Sequence, residues 1–199
     1  MKSMDRVASP QMIVYFICAT FGFLSFISAF FTLDVDSLLA MGVIRLILGT
    51  IYFLGALINI FKGVPGGNLN LISAVCFGLF AGTHMSLRAL ESLLDLQLEP
   101  LIFAVVQFFA GLYILLILLA LIKLPAVLWV LQAGGGFGLV CLGLETFFNV
   151  AFFQKLGGIC FLVYGLCSLY GGVCTMIDGL PFGPSLQELL HLHPKNELD

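Results

Sequence analysis

The chain predicts an all-α membrane protein, a six-transmembrane-helix bundle with both termini cytoplasmic, and three observations lead there. Apolar residues make up 61% of the 199 positions and charged residues only 10%. The apolar residues are gathered in six long runs with connectors of a few residues, and most charges stand at the boundaries of those runs. Each run is about the 20 residues that cross roughly 30 Å of hydrocarbon at 1.5 Å per residue. A soluble bundle would need a polar face on each surface helix, and these runs have none. A barrel would alternate polar and apolar residues over about ten positions, whereas here the apolar character persists for twice that length.

The runs cover residues 11–33, 38–61, 69–90, 100–122, 126–150 and 156–177, followed by a tail over 178–199, so that residues 1–199 form a single membrane domain. The first run is too long for the core of a cleaved signal peptide, and no small-residue cleavage site precedes Asp34 and Asp36; it is expected to be a retained span. The second carries Arg45, the third His84 and Arg88, and the fifth Glu145. With six spans, one side of the membrane holds Lys2, Arg6, Lys62, Lys123 and Lys195, and the other holds Arg88 and Lys155. The positive-inside rule therefore puts both termini in the cytoplasm, and the expected location is the plasma membrane.

Small residues supply the means of packing. Lipid gives no hydrophobic push between helices, so close approach relies on glycine, as in Gly78-Leu-Phe-Ala-Gly82, Gly134-Gly-Gly-Phe-Gly138 and the heptad row Gly158, Gly165 and Gly172. These rows read as bundle contacts; the alternative for the Gly134–Gly138 cluster is a break in the helix beside a pore. The six cysteines, Cys18, Cys76, Cys141, Cys160, Cys167 and Cys174, all fall within spans and form no C-x-x-C pair.

Charges inside the spans carry the sharper signal, since each costs about 2.5–3.5 kcal/mol at a helix centre on insertion scales. Counted from residue 38, Arg45 lies roughly 10 Å into its span. His84 and Arg88 occupy adjacent turns of one helix face. Together with Glu145 they define a candidate outer vestibule, in which Arg45, His84 and Arg88 draw in an anion and Glu145 holds one arginine. The competing reading is a structural Arg–Glu pair with Arg88 reaching outward to water.

Other chemistry is not indicated. The net charge of −3 offers no basic stripe for nucleic acid. The H-x-H of His191 and His193 has no further metal ligand nearby. Serine-hydrolase, zincin and phosphate-loop signatures are absent, so neither an enzyme, a cofactor nor a metal is expected. Ser185 and Glu188 have capping-box spacing before Leu189 and Leu190, which predicts a short helix on the inner membrane surface.

Several short motifs in order resemble the acetate and succinate transporters of the GPR1/FUN34/YaaH type. Ser9-Pro10 stands where that family's Asn-Pro begins its signature, and Met41-Gly42 opens the second span. Lys62-Gly63 and Gly67-Asn68 resemble the loop before the third span, and Phe77-Gly78 the aromatic–glycine step within it. Leu180-Pro181-Phe182-Gly183-Pro184 is similar to the family's tail. Two departures stand out. Gln11, Met12, Ile13, Val14 and Tyr15 replace the rest of the N-terminal signature, and Arg45 occupies a position usually small, polar or aromatic.

The resemblance implies a homohexamer in which each protomer encloses its own narrow path, constricted by apolar and aromatic side chains. Phe77 would be one constricting residue, with Phe16 or Cys18 nearby on the first span and Pro10 in the signature linked to substrate handling. The expected function is a channel or proton-coupled transporter for a small monocarboxylate. A channel for a neutral solute such as urea or a short amide, and a non-transporting scaffold subunit, are the alternatives.

Overall fold

Each predicted span becomes a helix or a continuous helical stack in the computed structural model, which describes residues 10–64, 67–177 and 181–190. The first helix, α1 (Gln11–Phe30), starts directly after Pro10, whose carbonyl accepts from Val14 N at 3.0 Å. Helix α2 (Val35–Phe61) begins three residues before position 38 because the Asp34 carboxylate accepts from Ser37 N at 2.8 Å and caps the first turn. The Ser37 hydroxyl and N–H beside Asp34 hold its carboxyl below the ordinary carboxylate range.

The third span is not a uniform helix. It comprises α3 (Gly67–Ser73), a π-helical segment (Ala74–Phe80) and α4 (Ala81–Leu94). Helix α5 (Pro100–Ala120) carries proline at its start, where the missing N–H costs nothing, and Glu99 accepts from Leu101 N at 3.3 Å. Helix α6 (Ala126–Phe148) ends where Asn149 enters the left-handed region at φ 52°, and this sharp reversal lets α7 (Ala151–Met176) begin five residues before position 156. All six stretches are long and apolar enough to cross a membrane. Their outward faces present side chains such as Ile47, Leu54, Ile102, Phe109, Leu116 and Leu119.

The glycine rows are contact seams. A Cβ on Gly22 of α1 would lie 2.6 Å from Gly165 Cα, so the backbones of α1 and α7 touch there. Gly158 of the same row faces Ala29 and Phe30. A Cβ on Gly49 of α2 would lie 2.7 Å from Gly78 Cα, and Gly42 and Gly82 meet one turn pair away. Gly111 and Gly136 join α5 to α6 in the same manner. The Gly134–Gly138 cluster does not break α6, which runs through it; Gly134 faces α7, Gly135 faces Phe77 and Tyr164, and Gly138 faces Phe161. The six cysteines are unpaired.

After α7 the described chain resumes at Pro181 and folds against the end of the bundle where α6 begins. Phe182 packs on Tyr15 with ring centroids 6.2 Å apart, and Tyr170 donates to Pro181 O at 3.2 Å. Ala126 N donates to Pro184 O at 2.9 Å and Gln187 N to Ile122 O at 3.1 Å. The predicted capping box forms: Ser185 N donates to Glu188 Oε2 at 2.8 Å and Glu188 N to Ser185 Oγ at 3.2 Å, opening a single turn, α8 (Leu186–Leu189). Leu189 and Leu190 are exposed beside it. Ser9, Leu180, His191, His193, Lys2, Arg6 and Lys195 lie outside the described residues.

Candidate functional site

Polar and aromatic side chains buried between α1, α2, the third span, α6 and α7 form a column through the bundle. Its centre is Phe77, fully buried, whose ring meets Phe161 edge-on at 5.9 Å and Tyr164 at 5.0 Å. A Cβ on Gly135 would lie 2.8 Å from Phe77 Cζ, so glycine at 135 makes the space the ring fills. Cys18 and Tyr52 lie beside the Tyr164 hydroxyl, which finds no hydrogen-bond partner among the described residues.

Phe77 belongs to the π-helical segment, and that irregularity connects it to Arg45. A π-turn shifts the backbone ladder from four to five residues and disturbs the regular carbonyl pattern. Arg45 Nη1 donates to Phe77 O at 3.0 Å. Its Nη2 donates to Ser25 Oγ at 2.7 Å and to Phe21 O at 3.3 Å, and the guanidinium stands 5.7 Å from the Phe21 ring centroid. Nε has no partner among the described residues, and the residue is 1% exposed.

On the other side of Phe77 the column is built from neutral groups. Ser73 Oγ donates to Gln132 Oε1 at 3.3 Å, Tyr52 OH to Asn70 Oδ1 at 3.5 Å, and Asn59 Nδ2 to Gln11 Oε1 at 3.0 Å. Asn59, Ser73 and Gln132 are buried. These carboxamides, with Tyr52, Phe161 and Tyr164, were not singled out by sequence reasoning. The signal for the carboxamides was present, as polar residues inside apolar runs.

The predicted vestibule does not assemble as four converging side chains. Since α2 starts at Val35, Arg45 stands ten residues, about 15 Å, along the helix; it is at mid-depth rather than near an entrance. Its hydrogen bonds go to two carbonyls and a serine, so Glu145 does not hold it; Glu145 accepts from Thr146 Oγ1 at 3.2 Å instead. His84 turns toward α5 and stacks on Phe103 at 4.2 Å, with Nε2 buried and without a partner among the described residues. Arg88 is exposed and pairs with Glu91 at 3.4 Å.

Of the residues expected along the path, Phe77 and Cys18 are in the column. Phe16 is not: it is 63% exposed and points to the outer surface, because each residue along α1 rotates the side-chain direction by about 100°, away from that of the buried Ile17 and Cys18. Pro10 packs against α2, 3.5 Å from where a Gly55 Cβ would lie. On the side where α1 ends, an open depression of about 460 Å³ is lined by Ser28, Thr32, Gln154 and Lys155.

A six-span bundle with apolar outward faces and a polar, aromatic column inside defines a multi-pass integral membrane protein. Its fold is that of a known channel. The chain is similar to the solved structure of the bacterial acetate channel SatP, with a TM-score of 0.70 and 18% identity over 95% of this chain and 99% of that one. No protein-family model matches the sequence, and no curated protein matches it.

Proposed function

We propose that the protein carries a small monocarboxylate of acetate size across a membrane, as a channel or a proton-coupled transporter, along the column that Phe77 constricts. The observation that carries this reading is Arg45: a cation buried at mid-depth whose hydrogen bonds all go to neutral groups. Such a charge is costly in hydrocarbon, and its field is left uncompensated by a bonded carboxylate. An anion at the Phe77 constriction lowers that cost, whereas a cation raises it. The apolar throat strips water from the permeant, so the donor-bearing groups on either side must replace its hydration. A carboxyl group with a reference value near 4 becomes neutral in mildly acidic water, which offers a proton-linked route through the same throat.

The fold shared with an acetate channel supports this reading, as does the buried aromatic contact of Phe77 with Phe161 and Tyr164. Cytoplasmic termini, a plasma-membrane location and a homohexamer belong to the same proposal. The test is a flux panel in liposomes with labelled acetate, succinate and urea at two pH values and two membrane potentials. Acetate flux that follows potential or the proton gradient is the expected result; equal, potential-independent flux of urea would overturn it.

A second reading, a channel for a neutral solute such as urea or a short amide, is favoured by one observation. The column beyond Phe77 is lined by carboxamides and hydroxyls rather than charges. In that case Arg45→Gln leaves solute flux unchanged.

A further inference from the structure

A chamber of about 50 Å³ lies between α1, the third span and α6, on the carboxamide side of Phe77, lined among others by Gln11, Tyr15, Asn70, Leu128, Leu131 and Gln132. The hydrogen bonds around it fix the polarity of its lining. Gln132 gives its oxygen to Ser73, and Asn70 gives its oxygen to Tyr52, which leaves the NH2 group of each as the available end. Gln11 accepts from Asn59 Nδ2 with its oxygen, and Tyr15 lines the same chamber with a phenol that can donate its O–H. Gln132 is 7% exposed, so its carboxamide belongs to the interior of the bundle and not to its outer surface.

We infer that this chamber is a binding station for a solute of about four non-hydrogen atoms that presents a carbonyl or carboxylate oxygen to Asn70, Gln132 and Tyr15. The inference rests on the proposed transport of a small solute and specifies what is held, and where. Size follows from volume. A water needs about 10–15 Å³ of such space, so the chamber takes about four water-sized positions. Acetate, acetamide and urea each have that number of heavy atoms; succinate has twice as many. Charge follows from the lining, since no ionised side chain borders the chamber among the described residues. The station reads an acceptor oxygen, not a charge, and so holds acetate and acetamide alike. Selection for the anion falls to Arg45 on the far side of Phe77, while selection for size falls here.

The experiment uses the purified full chain in detergent, with sodium acetate, acetamide and sodium succinate as probes and titration calorimetry as the readout. Acetate and acetamide should bind comparably and succinate at least 10-fold more weakly. Gln132→Leu, which removes a donor, and Asn70→Asp, which turns a donor into an acceptor, should each weaken acetate binding at least 10-fold, with the ligand-free unfolding temperature within a few degrees of the parent. Should Gln132→Leu fail to fold, Asn70→Asp carries the test. Unchanged acetate affinity in a folded variant, or succinate bound as tightly as acetate, overturns the inference. Liposome flux is measured separately: binding as expected without acetate flux leaves the station in place and removes the transport reading.

Discussion

Arg45 donates to the carbonyl of Phe77 at 3.0 Å, so the buried cation on α2 and the aromatic ring at the centre of the column form one hydrogen-bonded unit. The link depends on the π-helical segment of the third span, which carries Phe77. Two properties of the throat, its width and its electrostatic sign, are thereby set by neighbouring groups and can be separated by mutation.

Arg45→Gln should change ion preference more than throughput. A unit charge about 8 Å from a permeant contributes about 2 kcal/mol at an effective dielectric of about 20. The ratio of acetate to urea flux should therefore fall by about 30-fold, measured in the same liposomes under a fixed potential. Arg45→Lys keeps the charge but cannot reach Phe77 O, Phe21 O and Ser25 Oγ with one planar fork. It should retain the preference while lowering thermal stability.

Phe77→Ala should widen the path and loosen the bundle together. The ring contacts with Phe161 and Tyr164 disappear, and removal of a buried phenyl group costs about 3–5 kcal/mol. Labelled acetate uptake should rise, and the unfolding midpoint in denaturant should fall. A rise in uptake with an unchanged midpoint would mean that the ring is not packed as described.

The α1–α7 seam predicts a contrast between two glycines. Gly22→Ala places a methyl group at a backbone-to-backbone contact, its Cβ 2.6 Å from Phe161 O and from Gly165 Cα. Overpacking of that kind costs about 1–3 kcal/mol. Gly172→Ala meets only Tyr15 Cβ at 3.5 Å and should be tolerated. Unfolding curves of the two variants provide the check.

Asp34 predicts a pH dependence at the start of α2. Its carboxyl titrates below the ordinary range because Ser37 bonds the ionised form. A lowered value in the folded state means that the cap's contribution is fully present above the unfolded carboxyl range and is lost as pH falls through the folded value. Asp34→Ala should lower stability at neutral pH and remove that part of the acid dependence, as read from unfolding temperatures between pH 7 and pH 3.

Much of this architecture was legible because hydrocarbon imposes a length and a composition on each span, and the capping box at Ser185 and Glu188 was legible because its spacing is its mechanism. The depth of Arg45 was not legible because the unbroken apolar run begins at position 38, whereas the cap at Asp34 starts the helix at Val35. Asn70 and Gln132 carry a weaker sequence signal than Arg45, His84, Arg88 and Glu145, because a carboxamide costs less in a span than a charge. The π-helical segment has no sequence signature, since Ala74–Phe80 reads as ordinary apolar helix. The resemblance implies Phe16 or Cys18 beside Phe77, and successive residues of a helix differ by about 100° in direction, so only one of the two can face the column.

The seam between Gly22 and Gly165 also bears on biogenesis. Helix α1 leaves the ribosome well before α7, so its backbone partner arrives only after α2 to α6 have been made. Until then its glycine notch at Gly22 stays open to lipid or to an insertion factor, and translation that halts before α7 leaves α1 without its mate. Truncated products should therefore be recognised by membrane quality control through α1, and a chain supplied as two co-expressed halves split between α5 and α6 should recover its fold only when the second half restores that late neighbour.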